Sequence, residues 1–348
     1  MKVGYVYDSV YLEHDTGQHP ENATRLEAIM SRLEESSLKK RLTHIPPRPA
    51  TTEELALVHH EEYIAHVQAV VKGGGGWLDP DTVASPGSYK AALYAAGGVI
   101  RATEVVMTEG GSAYALVRPP GHHATATQAL GFCLFNNVAI ATRYALSKLN
   151  LGRVAIIDFD VHHGNGTQDA FYDDPKVLYI STHEFPLYPG TGSLEETGTG
   201  DAEGTTVNIP LPAGSGDSEY LQVFDEVIVP VVRRFGPELI LVSAGYDGHW
   251  SDRLAMMDLS VTGYAKMAEI IKGLAQELCH GHLVFTLEGG YPLAALAASV
   301  KATFDVLLGE KDIDDPLGPT KSGFKLRGFE APDITSLLAS LKRIHKLA

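Results

Sequence analysis

Short runs rich in Val, Ile and Leu alternate with longer stretches of helical periodicity along most of this chain, and no other feature restricts the fold so tightly. Candidate strands fall at residues 2–7, 113–117, 154–159, 177–181, 239–243 and 283–287. Runs of this composition suit strands buried on both faces. Helical patterns fill the intervals at residues 22–33, 88–107, 136–149, 218–235, 262–278 and 292–307. Thr51 followed by Glu54 reads as a capping box that opens a further short helix. The alternation predicts an α/β fold, with one mainly parallel sheet covered by helices on both faces. No internal repeat or strong linker divides the 348 residues. They read as a single domain with a core over about 1–308 and a charged, Pro-containing appendage over 309–348. The Gly73–Gly76 run marks a surface loop. Residues 183–205 form a polar, Gly-rich connection longer than usual, and such loops are often functional.

Charge and cysteine content narrow the partners. With 28 Lys+Arg against 43 Asp+Glu the net charge is −15, a field that repels phosphate backbones and excludes direct nucleic-acid binding as a first reading. The same field favours cationic partners such as lysine-rich tails or polyamines, although solubility alone accounts for it equally well. Two cysteines, Cys133 and Cys279, rule out a disulfide framework and suit a reducing cytosol. The N-terminus reads as a strand without a signal peptide's apolar core, and no apolar run approaches the roughly 20 residues of a membrane helix. The expectation is a cytoplasmic protein with no membrane partner, its oligomeric state left open.

In open α/β sheets, ligand sites lie beyond the carboxyl ends of the strands. After residues 113–117 comes Arg118-Pro119-Pro120-Gly121-His122-His123, and after the strand that begins at residue 154 comes Asp158-Phe159-Asp160-Val161-His162-His163-Gly164-Asn165. After 239–243 comes Ala244-Gly245-Tyr246-Asp247-Gly248-His249, and after 283–287 comes Glu288-Gly289-Gly290-Tyr291. Four strand ends thus carry His, Asp or Tyr beside glycine.

Residues two apart on a strand share a face, so Asp158, Asp160 and His162 are expected to converge if the strand continues through them. Asp247 supplies a further ligand from another strand end. Two Asp and one His leave a position open, which is the mark of a catalytic zinc that polarises a carbonyl and activates water. Taken alone, a D-x-D-x-H stretch is as well explained as a polar strand end; Asp247 and the His122-His123 pair in matching positions tip the balance. Asp158 and Asn165 are the candidate partners that set the tautomers of the two histidines. Tyr291 is placed to donate its phenol hydrogen to an oxyanion, though a Tyr beside glycines is more often structural. Cys133 reads as packing. The chain has no G-x-S-x-G, H-E-x-x-H or Walker A motif, and residues 198–204 miss the dinucleotide fingerprint.

These motifs, in this order, resemble the histone deacetylase superfamily. His19-Pro20-Glu21 with Arg25, and Tyr188-Pro189-Gly190-Thr191-Gly192, extend the likeness over about residues 1–308. The resemblance implies an arginase-deacetylase fold with about eight strands, and zinc ligands Asp160, His162 and Asp247. It gives His123 the part of general base and acid, His122 that of its electrostatic partner, and Tyr291 that of the clamp on the substrate carbonyl. Asp158 and Asn165 match the groups that orient the His pair. Asn165 with Glu288–Tyr291 looks closer to the class II and bacterial branches. Gly131, Phe132 and Tyr188 match tunnel walls around an acyl-lysine stem, and Arg25 resembles an arginine lining an inner channel. Potassium is implied near Asp158 and Ser181. The implied activity is zinc-dependent deacetylation of acyl-lysine in a peptide or protein, or of another small acyl-amine. An acetylpolyamine or acetoin-utilisation enzyme is the runner-up, and a silent metal-binding interaction protein is the alternative from a different class. Two departures bear on substrate. Residues 248–254 are unlike the common eukaryotic continuation, which puts His249 and Trp250 forward as rim residues. Leu254 stands where polyamine-selective relatives place an acid. Asp81 or Thr82 matches, loosely, a rim residue that holds the peptide backbone.

Overall fold

The computed structural model describes residues 2–319 and 331–348. In chain order the strands are β1 (Val3–Val6), β2 (Thr43–Ile45), β3 (Gly76–Trp77), β4 (Val83–Ala84), β5 (Ser112–Ala115), β6 (Val154–Asp158), β7 (Val177–Glu184), β8 (Thr206–Leu211), β9 (Leu239–Ala244) and β10 (Leu283–Leu287). Eight of them form one sheet in the order β2-β1-β5-β10-β9-β6-β7-β8, and every pairing in it is parallel. β3 and β4 make a separate antiparallel pair. The central strands are buried along their whole length, which explains their unbroken apolar runs.

The strand order matters more for function than the strand count. β5, β10, β9 and β6 lie side by side, so the four chemistry-bearing strand ends read from the sequence emerge together at one edge of the core. Helices Ser88–Glu109 and Asn137–Ser147 pack together, and so do Thr24–Glu35, Val261–Leu278 and Leu293–Leu308, covering the sheet. Among the described residues no helix is long and apolar enough to cross a membrane.

Several elements differ from the sequence expectation. β2 is only three residues long and β8 carries Pro210 at the sheet's edge, where a missing N–H is tolerated; neither has the apolar run of a central strand. The helix expected over 218–235 is three pieces, Asp217–Val223, a π-helical turn Phe224–Ile228, and Val229–Phe235. Pro230 cannot donate to the preceding turn, and the backbone widens just before it. Helices Glu61–Lys72, Asn165–Phe171 and Thr335–Ile344 are additional to the helical patterns read from the sequence. Of the loop expected over 183–205, His183 and Glu184 extend β7. The Thr51–Glu54 capping box is present. In the C-terminal segment, whose residues 320–330 lie outside the described residues, helix Thr335–Ile344 is tied to the core by Lys342 on Glu226 and by Arg234 on the His345 carbonyl at 2.6 Å.

Candidate active site

The loop after β5 is anchored from below by a buried ion pair. Arg118 is fully buried and donates to Glu21 through Nε and Nη2, the latter at 2.9 Å, and to the Tyr11 carbonyl at 3.0 Å. Against burial, which pushes it up, Arg118 holds the Glu21 carboxyl well below its ordinary value. Three residues on, Glu288 accepts from the backbone N–H of Gly121 at 2.7 Å and of His122 at 3.3 Å, and from Ser243 Oγ at 3.1 Å. One carboxylate just past the end of β10 therefore ties the loop that carries the His pair to β9.

The two adjacent histidines meet different partners. His122 Nδ1 lies 3.1 Å from Asp158 Oδ2, whereas His123 Nδ1 lies 2.9 Å from the neutral Asn165 Oδ1. Burial disfavours a charged His122, but Asp160 and Asp158 outweigh it and raise its pKa to about 10. Burial, reinforced by His122 and His162, holds His123 well below its ordinary value. The surroundings thus bias the two rings in opposite directions, His122 toward the protonated form and His123 toward the neutral one. An Nδ1–H donated to Asn165 leaves the His123 Nε2 lone pair free.

β6 ends at Asp158, so Asp160 and His162 follow the strand instead of continuing it, and the expected alternation does not bring the three side chains together. Asp158 turns to His122 and to the Tyr179 hydroxyl at 3.2 Å. Asp160 and His162 converge instead with Asp247: His162 Nδ1 is 3.2 Å from Asp160 Oδ1 and 3.2 Å from Asp247 Oδ2. Bonds of about 2.0–2.1 Å in a tetrahedral zinc site separate neighbouring donor atoms by about 3.3 Å; the two His162 distances match that spacing, and all three donor atoms lie within 4.8 Å of one another. The electrostatics of the set point the same way. Two carboxylates, Asp160 and Asp247, face one imidazole, and against burial they raise the pKa of His162, which marks the strongly negative field that a dication would neutralise. Asp160 is held well below the carboxylate range by His122 and His162 in spite of burial, while burial and Asp160 push Asp247 up.

Asp160, His162, His122, His123 and Tyr291 line one cavity of about 230 Å³ with Gly131, Phe132, Tyr188 and Leu254. Pro120, Leu187, Asp81 and Gly289 complete its wall. Two glycines make this closeness possible. A Cβ on Gly131, whose φ is +52°, would stand 2.3 Å from His123 Cδ2, and one on Gly289 would stand 2.1 Å from Asp247 Oδ2.

Not every expected residue reaches the cavity. Arg25 does not line it: fully buried, it donates to the Gly290 carbonyl at 2.7 Å and the Glu288 carbonyl at 2.6 Å, with its guanidinium 5.1 Å from the Tyr291 ring centre. Ser181 is buried in β7 opposite Asp158, its hydroxyl 2.9 Å from His183 Nδ1. His249 is buried and turned toward Ser251, and Trp250 donates to the Gly318 carbonyl at 3.2 Å, so neither lines the cavity. Thr82 accepts from the Phe132 N–H at 3.0 Å, which leaves Asp81 as the wall residue of that pair. Cys133 is buried with its thiol toward the Gly131 carbonyl. Sequence reasoning gave no role to Glu288, Glu21 or Asp252. The first two sit inside the E-G-G-Y and H-P-E motifs, where an acid beside glycine or proline was the available signal.

Comparison with known proteins shows the family to which this fold belongs. A histone deacetylase domain model matches residues 19–307. The chain is 46% identical over 295 residues to a probable deacetylase of Archaeoglobus fulgidus, covering 84% of this chain and 82% of that protein. It is 42% identical over 330 residues to the chloroplastic histone deacetylase 10 of Oryza sativa subsp. japonica, covering 87% and 73%. Among solved structures, the HD domain of HDA15 superposes with a TM-score of 0.86 at 34% identity, covering 99% of this chain and 94% of that one. The parallel eight-stranded sheet is therefore the arginase-deacetylase fold, and the chain belongs to the histone deacetylase family of deacetylase-type amide hydrolases.

Proposed function

We propose that the cavity hydrolyses the amide of an N-acyl amine, acetyl-lysine foremost, with a zinc ion held by Asp160, His162 and Asp247. One observation carries this reading: Asp160 and His162, which form a three-residue metal-type donor set with Asp247 just behind the wall, meet a neutral imidazole and a phenol at a single narrow, largely apolar-walled cavity. When bound, the ion would supply Lewis-acid polarisation of the amide carbonyl and acidify the attacking water.

The protein's own groups perform the remaining work. Phe132, Tyr188 and Leu254 bury an aliphatic stem and keep bulk water from the reacting amide. Tyr291 donates its phenol hydrogen to the carbonyl oxygen as charge develops there. His123 Nε2 takes a proton from the attacking water and returns one to the leaving amine, while Asn165 keeps Nδ1 in place. His122, charged and paired to Asp158, adds a fixed positive field beside its neighbour. Acetate and a free amine are released. Potassium at Asp158 and Ser181 would lie outside the cavity and takes no part in these steps.

Leu254, 39% exposed at the mouth, favours acyl-lysine over acetylpolyamine, because it offers no charge to a second ammonium. Acetylpolyamine hydrolysis is the second reading, supported by Asp81 in the wall. We read residues 1–348 as one domain, and a cytoplasmic location rests on the two buried free cysteines, Cys133 and Cys279. The test is Tyr291→Phe on a fluorogenic acetyl-lysine peptide. Removing one oxyanion donor is expected to lower kcat by about 10²–10³. Undiminished turnover would defeat the clamp role, and zinc-loaded protein inactive on every acyl-amine would favour a silent metal-binding protein.

A further inference from the structure

Tyr291 has to stand still to serve as an oxyanion donor, yet two glycines precede it and Gly290 sits at φ +112°. A Gly-Gly lead leaves the following residue free to swing unless its backbone is fixed. The chain fixes each residue of this loop separately. Gly289 N–H donates to Asp160 Oδ2 at 2.8 Å, and the Gly290 carbonyl accepts from Arg25 Nε at 2.7 Å. The Tyr291 N–H donates to Asp252 Oδ2 at 3.0 Å.

Asp252 belongs to neither neighbouring strand end. It lies in the mouth segment after β9, its own N–H donates to the His249 carbonyl at 2.8 Å, and its Oδ1 accepts from the Leu254 N–H at 3.0 Å. It is 7% exposed, and among the described residues no cation pairs with it. A buried carboxylate without a cation is costly to keep. Packing alone gives no reason for a charged residue here, whereas bridging two backbone N–H groups does. One group thereby holds both the phenol that faces the reacting carbonyl and the apolar residue at the mouth.

We propose that Asp252 is a positioning residue for catalysis, which fixes Tyr291 in its oxyanion-binding place by holding the Tyr291 backbone to the Leu254 segment. This inference rests on the clamp role of Tyr291 described above. It differs from a purely structural role in one respect: the benefit of Asp252 to turnover passes through the Tyr291 hydroxyl.

A double-mutant cycle on the zinc-loaded full chain separates the two. Asp252→Asn keeps the side-chain shape but replaces one acceptor oxygen with a donor that faces an N–H. It is expected to lower kcat on the acetyl-lysine peptide about 10- to 100-fold, with a smaller change in KM. In a Tyr291→Phe background the same change is expected to cost less than about twofold. An equal loss in both backgrounds would overturn the proposal. A readout independent of turnover uses 3-fluorotyrosine at position 291: its ¹⁹F resonance is expected to shift and broaden in Asp252→Asn, and an unchanged line overturns the proposal. If Tyr291→Phe itself leaves turnover intact, the clamp reading fails, and the ¹⁹F line still decides whether Asp252 fixes the ring. Should Asp252→Asn not fold, Asp252→Ser, which keeps an acceptor oxygen and removes the charge, carries the same expectations.

Discussion

His123 Nδ1 faces Asn165 Oδ1 at 2.9 Å, while the imidazole next to it, His122, faces the carboxylate of Asp158 at 3.1 Å. A neutral acceptor and an anion, one per ring, give two adjacent histidines opposite electrostatic surroundings, which is what the proposed division into a base and a cation requires. The division follows from helix Asn165–Phe171, which begins directly after the β6 turn and presents Asn165 where a second acid would have equalised the pair.

Asn165→Asp removes that inequality. Burial, His122 and His162 hold His123 low, and a carboxylate on Nδ1 opposes them by favouring the protonated ring. A base must be unprotonated to act, so the acid limb of the kcat/KM profile is expected to move to higher pH by about 1–3 units. An acid limb that stays in place would show that His123 is not the base.

Leu254→Glu tests substrate choice. A carboxylate at the mouth attracts the second ammonium of an acetylpolyamine at a partly exposed position, which is worth on the order of 1 kcal/mol. The ratio of kcat/KM for acetylspermidine over acetyl-lysine peptide is expected to rise several-fold to about tenfold. No change in the ratio would remove Leu254 from the specificity determinants.

His59 supplies a pH-dependent part of stability away from the metal ligands. Its Nδ1 donates to the Thr125 carbonyl at 2.8 Å and its Nε2 accepts from the Asn136 N–H at 2.9 Å, so the buried ring is neutral, and burial lowers its pKa to about 4. The unfolded ring titrates near 6.5, so between these values the unfolded chain binds more protons and stability falls as pH drops. The contribution is complete above about pH 6.5 and is lost toward pH 4. The destabilisation caused by His59→Gln is therefore expected to be largest at pH 7.5 and to shrink by about 2 kcal/mol at pH 4.5. Denaturant midpoints across that range check the sign, and a constant or growing cost on acidification would contradict it.

Much of this architecture was legible in the sequence because its decisive signals are local. Central parallel strands are buried on both faces, so β5, β6, β9 and β10 announce themselves as apolar runs, and the candidate site residues follow directly after them. The edge strands β2 and β8 lack that signature, and the π-helical turn before Pro230 interrupts what reads as continuous helical periodicity. The metal-type cluster was legible by residue type but not by route: Asp160 and His162 meet Asp247 through a turn past the end of β6, not through strand alternation. Residues that act through backbone N–H groups were hardest to see. Asp252 and Glu288 meet partners 39 and 167 positions away, at Tyr291 and Gly121, and no local pattern encodes such pairings.

The most direct measurement is turnover of a fluorogenic acetyl-lysine peptide by protein stripped with a chelator, before and after addition of Zn²⁺, with bound metal counted in the wild type and in Asp160→Asn. Metal-dependent hydrolysis at the Asp160, His162 and Asp247 cluster requires that stripping abolish turnover, that zinc restore it at one ion per chain, and that Asp160→Asn lose both. Undiminished turnover by the stripped protein, or full zinc binding and turnover by Asp160→Asn, would contradict it.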